Sequence, residues 1–475
     1  MKLLPAILLA TGPLLAHVGS PDIFFQGEAG PYKLLVTIRP PAVVPGVAAI
    51  EIRSASPDVR QIRLVPLRLG YTQQQFPPVP DLAEPSQDDP QFFTGSLWLM
   101  VTGSWQVRID VDGARGPGRL SVPVPALSTR VLPMRKAVAV ILLGLGLVLC
   151  LGLVSIAGAC AREAILEPGR EAETYRVRRA RVVMALVAVG VLALLWLGNR
   201  WWNSEEGDYM RVIFKPLVLQ PVLEGSRLTL QLQDPGWLGR RTDDLLPDHG
   251  HLMHLYMIRV PEMDLVWHLH PESSGAGFTQ QLPNVPAGRY ALFGDIVHAD
   301  GLAETAMAEI DLPDIAGQPL SGDDAAGAGP PLAKADYNRS VAPLPGGYRM
   351  VWDRGQGPLH AKRPYLFRFR VEDGTGEPAG NMELYMGMLG HAAFARSDRS
   401  VFAHVHPTGS VPMAALALTQ PGNPHAGHMT MASSGLPAEV SFPYGFPKPG
   451  DYRIYVQVKC GGNILTGVFD ARVEN

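Results

Sequence analysis

Two stretches of the chain carry no charged residue, Ala137–Ala161 and Val182–Asn199. A helix needs about 20 apolar residues to cross the hydrocarbon core of a bilayer. Transmembrane helices are therefore expected at 137–161 and 182–199. Elsewhere the hydrophobic positions alternate with polar ones or stop every few residues at Gly, Pro or Asp. Residues 24–125 hold strand-like runs at Tyr32–Ile38, Ala48–Ile52, Gln61–Leu67, Ser96–Val101 and Trp105–Asp110, with no sustained helical period. Such spacing predicts a β-sandwich. Met210–Pro313 continues in the same style, and a last module runs from Asp336 to the end. The 50 Gly and 44 Pro suit many short strands joined by turns. Expected fold class is thus all-β extracytoplasmic modules (immunoglobulin-like or cupredoxin-like β-sandwiches) plus two transmembrane α-helices.

The flanks of the apolar stretches set an expected topology. Residues 1–16 carry one Lys and an apolar run too short to span a bilayer, the pattern of a cleaved signal peptide. The segment between the helices, 162–181, holds six arginines, and an Arg-rich short loop belongs in the cytoplasm. Trp196, Trp201 and Trp202 suit an interfacial belt. The expected order is a signal peptide (1–16), a periplasmic β-sandwich (17–134), helix (137–161), cytoplasmic loop (162–181), helix (182–199), a His-rich repeat (203–315), a linker (316–335) and a His/Met/Cys repeat (336–475). That places the protein in a bacterial inner membrane, with its main domains in the periplasm and the bilayer as one partner. Neither helix contains Asp, Glu, Lys, Arg or His, which argues for an anchor over a transporter.

A net charge of −3 offers no field for nucleic acid. Three cysteines make no disulfide framework. No nucleophile elbow, P-loop, zinc-protease or haem-attachment motif occurs, so no enzymatic activity is expected.

The last two modules repeat one another. HGHLMHLYMIRVPEMDLVWHLHP (249–271) aligns with MGMLGHAAFARSDRSVFAHVHP (386–407) across a single gap. His254 then falls on His391, His268 on His404 and His270 on His406. GRYALFGDIVH (288–298) aligns with GDYRIYVQVKC (450–460), which puts His298 on Cys460. Upstream, His249 and His251 meet Met386 and Met388.

Strand alternation gives this repeat a chemical meaning. Leu265, Trp267 and Leu269 point one way, and Val266, His268 and His270 the other. Val401, Ala403 and Val405 are likewise opposed to Phe402, His404 and His406. Two imidazoles therefore leave one face roughly 6–7 Å apart. Hairpin turns at Pro261–Asp264 and Ser397–Arg399 bring His254 and His391 opposite those pairs. Each repeat is expected to hold its own metal ion, with His298 or Cys460 as a fourth ligand. The candidate ligands are His251, His254, His268, His270 and His298 in one repeat, and Met386, Met388, His391, His404, His406 and Cys460 in the other. Sparse carboxylates disfavour calcium and magnesium. Copper fits a mixed imidazole, thioether and thiolate set, and zinc is the alternative. On this reading the first repeat favours Cu(II) and the softer second repeat Cu(I). Two further candidates are the segment PHAGHMTM (424–431) and His17, which becomes N-terminal if cleavage follows Ala16.

GPYKLLVTIRPP and GSWQVRIDVDG in the first module resemble the immunoglobulin-like modules of the YtkA-like and CopC-like families. The later M-H…H-x-H-P and G-x-Y segments resemble His-rich β-sandwich repeats of secreted and membrane-anchored bacterial proteins. The resemblance implies copper handling, with a periplasmic copper chaperone or a respiratory copper enzyme as partner. The expected function is copper binding, storage or delivery. Its rivals are a metal-free tethered scaffold and a copper electron-transfer protein using His404, His406, Cys460 and Met388.

Overall fold

The computed structural model describes residues 21–69, 77–167, 169–275, 277–355, 357–420 and 435–475. The expected signal peptide, His17 and segment 424–431 lie outside the described residues. The chain divides into two units, Arg130–Ile213 and the remainder, Met1–Thr129 with Phe214–Asn475.

The smaller unit consists of helices α1 (Lys136–Glu163) and α2 (Thr174–Val212), both long and apolar enough to cross a membrane. α2 is much longer than the expected 182–199. Arginine is a good helix former, so the Arg-rich end of the expected loop, from Thr174 onward, is helical. A Cβ at Gly158 would meet the Met184 sulfur at 2.6 Å, so glycine is what permits this close helix crossing.

The larger unit is β-rich and carries three modules. In the first, a five-stranded and a four-stranded sheet share one apolar core. All five expected strands are present, each somewhat longer, and Ile23–Ala29, Asp81–Leu82, Glu84–Pro85 and Gly116–Ala126 add four more. Ile23–Ala29 also docks on the last module: Gln26 donates to Thr408 O at 2.7 Å and Ser410 N to Phe24 O at 2.9 Å. Phe24 sits in the last module's core.

Both His-rich repeats build the same hairpin beside the same long strand. In the first, His254–Val260 and Leu265–Leu269 pair, and His254–Val260 also pairs with Gly288–His298. In the second, His391–Arg396 pairs with Phe402–Val405 and with Gly450–Cys460. Both turns fall where the sequence places them, and alternation sorts the side chains as expected. Leu255, Met257, Trp267 and Leu269 enter the first repeat's core, while Ala392, Phe394, Ala403 and Val405 enter the second's.

The opposite faces are not wet. Tyr256, Ile258 and Val266 of the first repeat pack against Ala393, Ala395 and Phe402 of the second in a shared cluster. Phe293 stacks on Phe402 with ring centroids 4.3 Å apart. The histidine faces are thus turned toward each other and buried.

The expected linker 316–335 is instead structural. Ala325–Ala328 pairs with Leu265–Leu269 as an added strand. Its small residues are the reason it fits, since a Cβ at Gly327 would lie 2.5 Å from Thr466 Cγ2. At Ala325–Ala328 the low apolar content reflects close approach between sheets, whereas residues 318–322 are exposed.

Candidate metal centre

Eight histidines meet where the two repeats face each other. A two-residue turn precedes the hairpin in each. In the first, Asp248 and His251 exchange backbone hydrogen bonds of 2.8 and 3.0 Å around His249 (φ 51°) and Gly250 (φ 89°). In the second, Tyr385 and Met388 do so around Met386 (φ 50°) and Gly387 (φ 78°). Two successive positive φ values define a type I′ turn. His249 and Met386 hold the left-handed conformation without glycine's freedom, a strain that marks positions worth explaining.

Two trios bring their ligand nitrogens within 4.8 Å of one another: His254 with His268 and His270, and His249 with His391 and His406. The first trio is the one expected from sequence. The second crosses between repeats, because the first repeat's turn carries His249 to within 5.0 Å of His391 and 4.9 Å of His406, ring centre to ring centre. His404 lies beside both trios, 5.3 Å from each of His254, His268 and His391 by ring centroid.

The hydrogen bonds fix where the protons sit. His254 Nε2 faces the Asp248 carbonyl at 3.0 Å, so it carries the hydrogen and Nδ1 is bare. His268 Nδ1 faces Gln457 Oε1 at 2.8 Å and the Tyr385 hydroxyl oxygen at 3.4 Å, while that hydroxyl donates to Asp323 O at 2.7 Å. His268 Nε2 is therefore bare. These two bare nitrogens face each other at 3.1 Å. His270 donates from Nδ1 to Asp324 at 3.0 Å, and its buried Nε2 has no hydrogen-bond partner. In the second trio His406 Nδ1 faces Val411 O at 3.3 Å, leaving a buried Nε2 without a hydrogen-bond partner. His391 Nε2 faces Tyr385 O at 3.2 Å, and its bare Nδ1 lies 3.1 Å from His404 Nε2. Tying one ring nitrogen to a carbonyl or carboxylate while freeing the other is how proteins orient histidine toward a metal.

Protons do not fill these gaps. Burial first, then the other imidazoles, hold His254, His268, His391 and His404 well below the usual histidine range. Burial lowers His270 too, and it lowers His406 to about 4. The metal-free fold thus binds fewer protons here than the unfolded chain, so its stability is complete above about pH 6.5 and falls as pH drops. His406 alone is worth roughly 3 kcal/mol by pH 4. Two groups run the other way. Burial, opposed by a Thr305 hydrogen bond, raises Asp295 to about 7. His298 is also raised: burial works against it, but Glu304 and Asp244 outweigh that. With six histidines against two, urea midpoints of the metal-free protein are expected to fall between pH 7 and pH 5; a constant midpoint contradicts this.

Of the remaining sequence candidates, Cys460, His298 and Met388 go elsewhere. On Gly450–Cys460, Tyr455 joins the shared cluster between the repeats and Gln457 reaches His268, whereas Val456, Val458 and Cys460 enter the second core. Cys460 differs in parity from Gln457, so it points away from the histidines and its thiol meets Asn381 at 2.9 Å. His298 shares that parity and pairs with Asp244 at 2.9 Å. Neither supplies a fourth ligand, and the His404–His406–Cys460–Met388 centre is not assembled. Met388 packs in the first module's core. His251 stands 4.1 Å from His270 by ring centroid, with Nε2 on Asp323 at 3.2 Å. Met386 sits on the turn between Tyr385 and Met388, ahead of the hairpin.

His249 is not among the ligands expected from the sequence, although it aligns with Met386, which is. It also missed Gln457 and Asp295. These aligned residues each face the other repeat's middle histidine, Gln457 at His268 and Asp295 at His404 (3.6 Å). Hydrogen-bonding residues where a buried strand should be apolar were the available signal.

Residues 342–475 match a family described as a domain of unknown function (DUF8832). No curated protein matches the chain. Among solved structures, the chain is similar at 9% identity to native E. coli alpha-2-macroglobulin, with a TM-score of 0.20, covering 98% of this chain and 23% of that one. It therefore spans about a quarter of that protein. A tetra-tandem repeat from a large adhesion protein (8% identity, TM-score 0.16) is matched over 90% of this chain and 71% of that one. The ICAM-5 D1–D4 ectodomain fragment (9%, 0.15) is matched over 93% and 76%.

Proposed function

We propose that the chain is a membrane-anchored copper-binding protein that clasps metal between its two histidine repeats, for storage or delivery. The observation that carries the reading is the pair of bare imidazole nitrogens, His254 Nδ1 and His268 Nε2, at 3.1 Å. Lone pairs at that distance repel unless a cation lies among them, and burial denies the site a proton. His270 Nε2 completes one trio, and His249, His391 and His406 form the other. No carboxylate belongs to either trio, which suits copper or zinc over calcium or magnesium. Among first-row divalent ions copper binds such sites most tightly.

Apolar α1 and α2 support the anchor. In this reading the β modules are immunoglobulin-like and lie on the periplasmic side of a bacterial inner membrane. Their partner there is a periplasmic copper chaperone or a respiratory copper enzyme. No catalytic step is involved.

The test is elemental analysis of the detergent-solubilised full chain after copper loading and desalting, with zinc in competition. Two coppers per chain are expected, one for each trio, with zinc displaced. A chain that emerges without metal overturns the reading, and one that keeps zinc against equal copper overturns the choice of metal.

A further inference from the structure

The twofold likeness of the repeats places a residue that no histidine count finds. Position 249 corresponds to 386, 391 to 254, and 406 to 270. In one half of the cluster His249, on its type I′ turn, reaches across to His391 and His406. The corresponding set is Met386 with His254 and His270. Met386 rides on the same turn, with the same left-handed backbone, φ 50° against 51°. Tyr385, next to it, already touches that half: its hydroxyl oxygen lies 3.4 Å from His268 Nδ1. Met386 is also buried, at 9% exposure, yet it belongs to none of the apolar core clusters among the described residues. Met253 and Met388, by contrast, are packed in such cores. A buried thioether outside any core, on a strained turn whose counterpart carries His249 to two imidazoles, needs a role.

We infer that Met386 is the sulfur donor to the ion held by His254, His268 and His270, so that the cluster holds two unlike ions. This rests on the metal-binding reading above. One site is all imidazole, completed by His249, and takes Cu(II) or zinc readily. The other is imidazole with a thioether and prefers Cu(I), because soft sulfur selects the softer ion. The second repeat's softness is thereby delivered to the first repeat's histidines, the reverse of what the sequence alone implies. The pairing gives the protein a way to accept copper in either oxidation state at one buried cluster.

The test is copper X-ray absorption on the full chain loaded anaerobically with Cu(I), comparing wild type with Met386→Leu and Met386→His. In the wild type a sulfur scatterer is expected on part of the bound copper, and both variants lose it. Met386→Leu should weaken Cu(I) at that site roughly 10-fold or more, at least the loss that follows removal of a residue supporting a metal ligand. Met386→His should keep both ions with nitrogen-only scattering. Nitrogen-only scattering in copper-loaded wild type, or sulfur scattering that persists in Met386→Leu, overturns the inference and leaves the metal-binding reading standing. A wild-type chain that binds no copper overturns both.

Discussion

Copper saturation is expected to stabilise the larger unit by about 4 kcal/mol per site when free copper stands at roughly a thousand times Kd, and chelation to reverse it. The size follows from mass action on a site that only the folded chain assembles. His254, His268 and His270 belong to two strands and the residue beyond them, and His249 reaches His391 and His406 from a turn in the other repeat. No such arrangement exists in an unfolded chain, so binding energy becomes folding energy. In the metal-free state the bare His254 Nδ1 and His268 Nε2 face each other at 3.1 Å. Metal therefore also removes a repulsion that the fold otherwise carries. Urea unfolding with copper and with a chelator measures the difference; equal midpoints contradict the prediction.

The second large effect lies outside the cluster. Arg453 and Asp470 are both fully buried and paired at 2.9 Å between Nε and Oδ1. Arg453 also donates to Pro330 O at 2.6 Å, and Asp470 accepts from Asp336 N at 3.1 Å. The pair thus pins the segment after the added strand to the last repeat. Asp470→Ala leaves a guanidinium buried without its counter-charge and is expected to cost about 3–5 kcal/mol. Replacing both residues by apolar ones of similar size should cost less, because the pair's net worth is small once desolvation is counted. Denaturant unfolding of the two variants checks the order, and a double variant less stable than Asp470→Ala contradicts it.

Much of the local arrangement was legible in the sequence because it obeys short-range rules. The two-residue period assigned the faces of 265–270 and 401–406, and Pro261–Asp264 and Ser397–Arg399 marked both turns. The repeat also aligned His254 with His391 at the start of equivalent strands. What escaped depends on packing between modules. Nothing in either repeat announces that its histidine face is buried against the other's, so each was assigned its own ion. The crossing of His249 to the other repeat's histidines follows from that packing. Cys460 and His298 were misjudged for a simpler reason: the same period, carried along their own strands from Gln457 and Asp295, turns both away. The segment 316–335 looked like a linker because small residues suit open chain and close sheet contact equally.

His249, His391 and His406 form a trio shared between the two repeats, and a double-mutant cycle tests that sharing. Copper affinity is measured for His249→Ala, His391→Ala and the pair. If both residues serve one ion, either substitution disables the same site, and the double variant loses little more than each single one. Losses that add would mean that His249 and His391 serve separate ions, each within its own repeat, and would contradict the account.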